Sequence, residues 1–184
     1  MTINPTIHHF FHPLKVQYLP AKAMHGFNLI ELMVTIAIMA ITLSIAIPSM
    51  SNLVLTSKLS GYANHLVASA YLARSEAIKR NLIVTLCTST NGTSCAGSGG
   101  WEQGWIILTG TEIVRYQQAT ATGIKITESN GISSLTFQAT GVGSTQATLT
   151  VCRNTPTVGD QERVVTISAT GRASVAKTTT GICN

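Results

Sequence analysis

Residues 27–47 read FNLIELMVTIAIMAITLSIAI, a run with a single charge, Glu31, that ends at Pro48. As a helix rising ~1.5 Å per residue, such a run spans ~30 Å, the thickness of a bilayer's hydrocarbon core. Lys15 and Lys22 precede it and no basic residue follows until Lys58. The N-terminal side is therefore predicted to be cytoplasmic and the rest of the chain exported. An ordinary secretory signal is cut after its apolar run, beside small residues, and Ser44, Ala46 and Ser49 would offer such a place. This run is longer than a signal's apolar core and carries an acid near its start, which a disposable segment has no reason to hold. It is expected to stay in the mature protein as a transmembrane helix over 27–47.

Glu31 needs a physical account. A charged carboxylate inside a membrane helix costs on the order of 3 kcal/mol and marks a functional site with a partner to be named. Placed only four residues after Phe27, it is equally compatible with headgroup depth, where water solvates it. Residue chemistry alone leaves both placements open.

The remaining chain has one domain's worth of core. Of 184 residues 45% are apolar and only 10% charged, a balance that fits an exported β-rich protein. The formal charge of +5 falls to +3 once Lys15 and Lys22 are set aside, too small an excess to specify a partner. Cys87, Cys95, Cys152 and Cys183 all follow the apolar run, so they are expected in an oxidising compartment. Three pairings are possible. Cys87 with Cys95 and Cys152 with Cys183 is favoured, because each pair is near in sequence and closes a polar loop. Zinc is the competing reading, and the absence of any CxxC spacing argues against it.

After Pro48, Leu59, Tyr62, Ala63, Leu66, Val67, Ala70, Tyr71, Ala73, Ala77 and Ile78 recur at three- and four-residue steps. This predicts an amphipathic continuation of the same helix over 48–81, kinked or loosened at Pro48, with one face laid on a globular head. From residue 82 the helical period stops. Strand-like runs at 83–87, 105–109, 113–117, 124–127, 135–139, 147–152 and 163–169 alternate with Gly- and Asn-rich turns, predicting an antiparallel β head over 82–184. The expected class is α+β, a long helix packed on an antiparallel sheet.

The stretch Gly26-Phe27-Asn28-Leu29-Ile30-Glu31-Leu32-Met33-Val34 resembles the processing motif of type IV prepilins. The resemblance implies that residues 1–26 are a leader, that prepilin peptidase cuts between Gly26 and Phe27, and that Phe27 becomes N-methylated. It also implies that Glu31 neutralises the new N-terminal ammonium of a neighbouring subunit during assembly, and that other pilins or pseudopilins are the partners. Asn28 stands where Thr or Ser is commoner, His25 where Lys or Arg is commoner, and the leader is long. Met24 as an alternative start would leave a leader of three residues without a lysine.

Within the head, Arg74-Ser75-Glu76-Ala77, Val84-Thr85-Leu86-Cys87, Trp101, Gly104-Trp105 and Ser168-Ala169-Thr170-Gly171-Arg172 resemble, in that order, the GspH/FimT group of minor pilins and pseudopilins. The implied function is a minor structural subunit of a type IV pilus or of a type II secretion pseudopilus, anchored in the inner membrane with its head in the periplasm. Some FimT-like members bind DNA through a GRxR motif, which here reads Gly171-Arg172-Ala173-Ser174. Ser174 in place of the second Arg removes one phosphate contact. Arg153, Arg163 and Lys177 are the scattered replacements, and Arg172 and Lys177 read otherwise as solvated turn residues. No enzyme, cofactor or metal site is expected: Asp160 and His65 stand apart from any nucleophile, and His8, His9 and His12 lie in the leader.

Overall fold

The structure is a computed structural model that describes residues 26–159, 161–181 and 183. Residues 1–25 of the expected leader, with its histidines and lysines, and Asp160 lie outside the described residues. The chain divides into two units, Met1–Ser44 and Ile45–Asn184.

One helix, α1, runs from Leu29 to Arg80. No separate second helix begins after position 48, so the amphipathic half continues the element that starts in the apolar run. In the second unit α1 buries Leu55, Leu59, Ala63, Leu66, Ala70, Ala73 and Ala77, a stripe at three- and four-residue spacing. Four of the seven are alanines, which let the helix backbone approach the sheets closely. Tyr71 and Ile78, counted with this face in the sequence, are instead 43% and 52% exposed and flank it.

The helix ends on its own chemistry. Asn81 adopts a left-handed φ of 56°, and the Leu82 N–H donates to the Ala77 carbonyl at 3.3 Å. This Schellman closure satisfies an orphan carbonyl and turns the chain toward the first strand.

Eight strands follow: β1 Val84–Thr88, β2 Trp105–Thr109, β3 Glu112–Gln117, β4 Ile124–Glu128, β5 Ser134–Phe137, β6 Ala147–Arg153, β7 Glu162–Ile167 and β8 Ala173–Thr178. They form two four-stranded sheets, β3-β2-β1-β5 and β4-β6-β7-β8, and every pairing is antiparallel. The antiparallel head expected from the sequence is thus built as two sheets. The register brings apolar residues opposite one another on the inward faces: Leu86 with Ile107 and Leu135, Ile126 with Val151, and Leu149 with Val165. These residues and the α1 stripe form one core cluster.

The strand β8 is absent from the sequence reading, and its pattern explains why. Only Ala173 is buried, and Ser174 to Lys177 are exposed, as fits an edge strand with no apolar alternation. Lys177 accordingly lies in a strand, opposite Arg163, and not in a turn.

Trp101 and Trp105 are each 1% exposed, and both indole N–H groups are satisfied. Trp101 Nε1 donates to the Ile132 carbonyl at 2.8 Å, and Trp105 Nε1 to Ser69 Oγ on α1 at 2.9 Å. Gly104 between them has φ 106°, and a Cβ there would stand 2.7 Å from the Gln117 carbonyl oxygen. Only glycine fits that approach.

Candidate functional site

The N-terminal segment carries the motif. Helix α1 begins after Asn28, whose carbonyl accepts the Leu32 N–H at 3.1 Å. Asn28 thus takes the N-cap position, for which asparagine is among the preferred residues. Every described residue from Gly26 to Ser44 is exposed, including Phe27 at 79% and Ile45 beyond it at 70%. The hydroxyls inside this segment turn back on the helix: Thr35 donates to the Leu32 carbonyl at 2.8 Å, Thr42 to Met39 at 2.9 Å, and Ser44 to Ile41 at 2.7 Å. Each is satisfied without water, as an apolar environment requires. Glu31, in the first turn, is exposed and has no hydrogen-bond or ion-pair partner among the described residues. The best window of α1 has a mean hydropathy of 2.3 and none of it is buried. Length and composition therefore allow α1 to cross a bilayer, and Glu31 is the polar group this apolar surface leaves unanswered.

In the head, the structure joins Cys87 to Cys95 and Cys152 to Cys183. The first bond closes the loop that follows β1. The second ties the C-terminal tail to β6. Near that tail the buried Glu162 accepts hydrogen bonds from Thr178 at 3.0 Å and from Thr180 at 2.5 Å.

The basic residues weighed for DNA do not converge. Arg172 is exposed just before β8, and Lys177 lies five residues further along it, roughly 17 Å away at strand rise. Arg163 is only 8% exposed: its Nε donates to Ser60 on α1 at 3.1 Å and its Nη1 to the Glu162 carbonyl at 2.8 Å. It serves packing and is withdrawn from any phosphate. Arg153 donates through Nε to the Thr157 carbonyl at 3.0 Å. His65 is exposed on α1, and no cluster of three metal-binding side chains occurs among the described residues.

Sequence reasoning missed an ionic clasp at the far end of α1. Arg80 Nε donates to Glu76 at 2.6 Å and its Nη1 to Glu112 on β3 at 2.6 Å. The Arg80 hydrogen bond holds each carboxyl below the usual carboxylate range, and the two carboxylates raise the guanidinium in turn. The i, i+4 spacing of Glu76 and Arg80 was visible, but the link to Glu112 exists only in the fold.

Comparison with known families and structures gives two matching family models. The Type II transport protein GspH model matches residues 62–171, and the Prokaryotic N-terminal methylation motif matches residues 22–47. No curated protein matches at a significant level. Among solved structures, the type IV minor pilin FimU of Pseudomonas aeruginosa is similar at 25% identity with a TM-score of 0.53, covering 65% of this chain and 89% of that one. The minor pseudopilin EpsH from the type 2 secretion system of Vibrio cholerae shows 15% identity and a TM-score of 0.48, covering 65% and 96%. The fold comparison rests on FimU. A methylation-motif helix leads into a head of two antiparallel sheets, and the GspH match spans more than half of the sequence, so the chain belongs to the GspH family of minor pilins and pseudopilins.

Proposed function

We propose that this chain is a processed, membrane-anchored minor subunit of a type IV pilus or a type II secretion pseudopilus. In this reading prepilin peptidase removes residues 1–26, Phe27 is N-methylated, the N-terminus faces the cytoplasm, and the head stands in the periplasm. The FimU likeness favours the pilus. The observation that carries the reading is the exposed apolar helix with its lone acid, Glu31, ahead of a GspH head.

Cleavage at Gly26 places an ammonium one residue before the N-cap, next to the positive end of the helix dipole. Two positive features then meet in apolar surroundings, where an unpaired charge is costly and a paired one is strongly attracted. Glu31 supplies the opposite charge. Pairing with the amine of an adjacent subunit fixes how far one helix slides along the next, so the carboxylate sets axial register more than affinity.

The test is Glu31→Leu in the native host. The variant should be cut, remain in the membrane and keep the melting temperature of its head, yet be missing from sheared pili or from the pseudopilus. Incorporation at the wild-type level would overturn the assignment.

DNA binding has less support, because Lys177 lies roughly 17 Å along β8 from Arg172 and Arg163 is buried.

A further inference from the structure

We infer that the end of the head where the apolar segment enters is a contact surface for anionic phospholipid. The inference rests on the membrane-anchored reading above and adds a partner to it.

Three observations meet there. Met50, Leu53 and Val54 are 63%, 63% and 46% exposed, and they follow the apolar run closely in sequence. The span predicted over 27–47 closes about 5–10 Å of helix before Met50, Leu53 and Val54, so these residues stand in the headgroup layer or at its outer edge. One turn further on, the exposed Lys58 lies above that layer, where a side chain can lay its stem along apolar surface and reach down with its ammonium to the polar layer.

The second observation is a groove of about 200 Å³ between α1 and the turn before β4, lined among others by Val54, Lys58, Gly123, Ile124, Arg153 and Thr155. Among the described residues no carboxylate lines it. Third, the ion pairs among the described residues join Glu76, Lys79, Arg80 and Glu112, so neither Lys58 nor Arg153 has an acidic partner there. Two cations over an apolar lip match a phosphodiester headgroup above its acyl chains. The charge orders the head against the bilayer before assembly, and the contact must be given up when the subunit leaves the membrane.

The test is amide hydrogen exchange of the full processed protein in nanodiscs, read at residues 119–124 and 153–157. Discs of phosphatidylcholine are compared with discs containing phosphatidylglycerol. Exchange should slow several-fold in the anionic discs, since each basic residue near such a surface is worth about a fivefold change in equilibrium. The double variant Lys58→Gln, Arg153→Gln should exchange alike in both. The wild type should lose the protection at 1 M salt, where screening shrinks to about 3 Å. Equal exchange of the wild type in the two discs would overturn the inference. So would protection in phosphatidylcholine discs by inorganic phosphate alone, which would make the groove an ion site. Failure of the protein to enter discs at all would instead remove the membrane reading and this inference with it.

Discussion

The Arg80 guanidinium ties the last turn of α1 to β3 through Glu76 and Glu112, and both carboxyls titrate below their ordinary value of 4.5 because Arg80 hydrogen-bonds them. The folded state thus binds protons less readily than the unfolded one. The clasp's contribution is fully present above about pH 4.5 and is lost as pH falls through the depressed folded values. The melting temperature of Arg80→Gln should lie below wild type at pH 7, and the gap should close on titration toward pH 3. A gap independent of pH would mean that the clasp acts through packing. At Gly171, φ is 74° and a Cβ would stand 2.5 Å from the Gly141 carbonyl oxygen. Gly171→Ala should cost more than about 1 kcal/mol in urea unfolding. Its neighbour Arg172 is exposed, so Arg172→Ala should leave stability unchanged. Retardation of DNA by the head at low salt that vanishes in Arg172→Ala would restore the nucleic-acid reading.

At the level of elements, α1 is held by a stripe rich in alanine and centred on Leu66, which is fully buried. Leu66→Ala should destabilise the head by about 2–5 kcal/mol, and Ala70→Leu by about 1–3 kcal/mol through overpacking, both read by denaturant unfolding. The stripe was legible because helical period and apolar type agree from Leu59 to Ala77. Tyr71 and Ile78 were misplaced because their hydrophobicity says nothing about the width of the buried face, which is set by what packs on it. The strands β2, β4 and β6 showed themselves as apolar runs between glycine turns. The strand β8 did not, since Ser174-Val175-Ala176-Lys177 has neither alternation nor bulk, and it forms only because β7 offers an edge. The partition into two sheets was equally hidden, because the connections between strands do not say which strands will pair.

For the molecule as a whole, the head is held by two kinds of bond with different reach. The core joins α1 to both sheets, and the bond from Cys152 to Cys183 spans 31 residues and ties the tail to β6. Replacing both of these cysteines by serine should cost about 2–4 kcal/mol, as a loop-closing cross-link of this length contributes, with a lowered denaturant midpoint as the readout. The ends of the chain carry the functional information that sequence displayed most openly. Gly26, Phe27 and Glu31 stand in a motif read by chemistry, whereas Arg163 looked like an exposed cation until the fold buried it against Ser60. The central claim is that a newly made amine at Phe27 is answered by the one acid of an apolar helix. Intact mass and N-terminal fragmentation of the protein, purified from membranes of cells with and without prepilin peptidase, test it most directly. The chain should start at N-methylated Phe27 in the first and keep an uncut leader in the second. A mature chain that starts at Met1, or beyond Pro48, in cells that have the peptidase would contradict it.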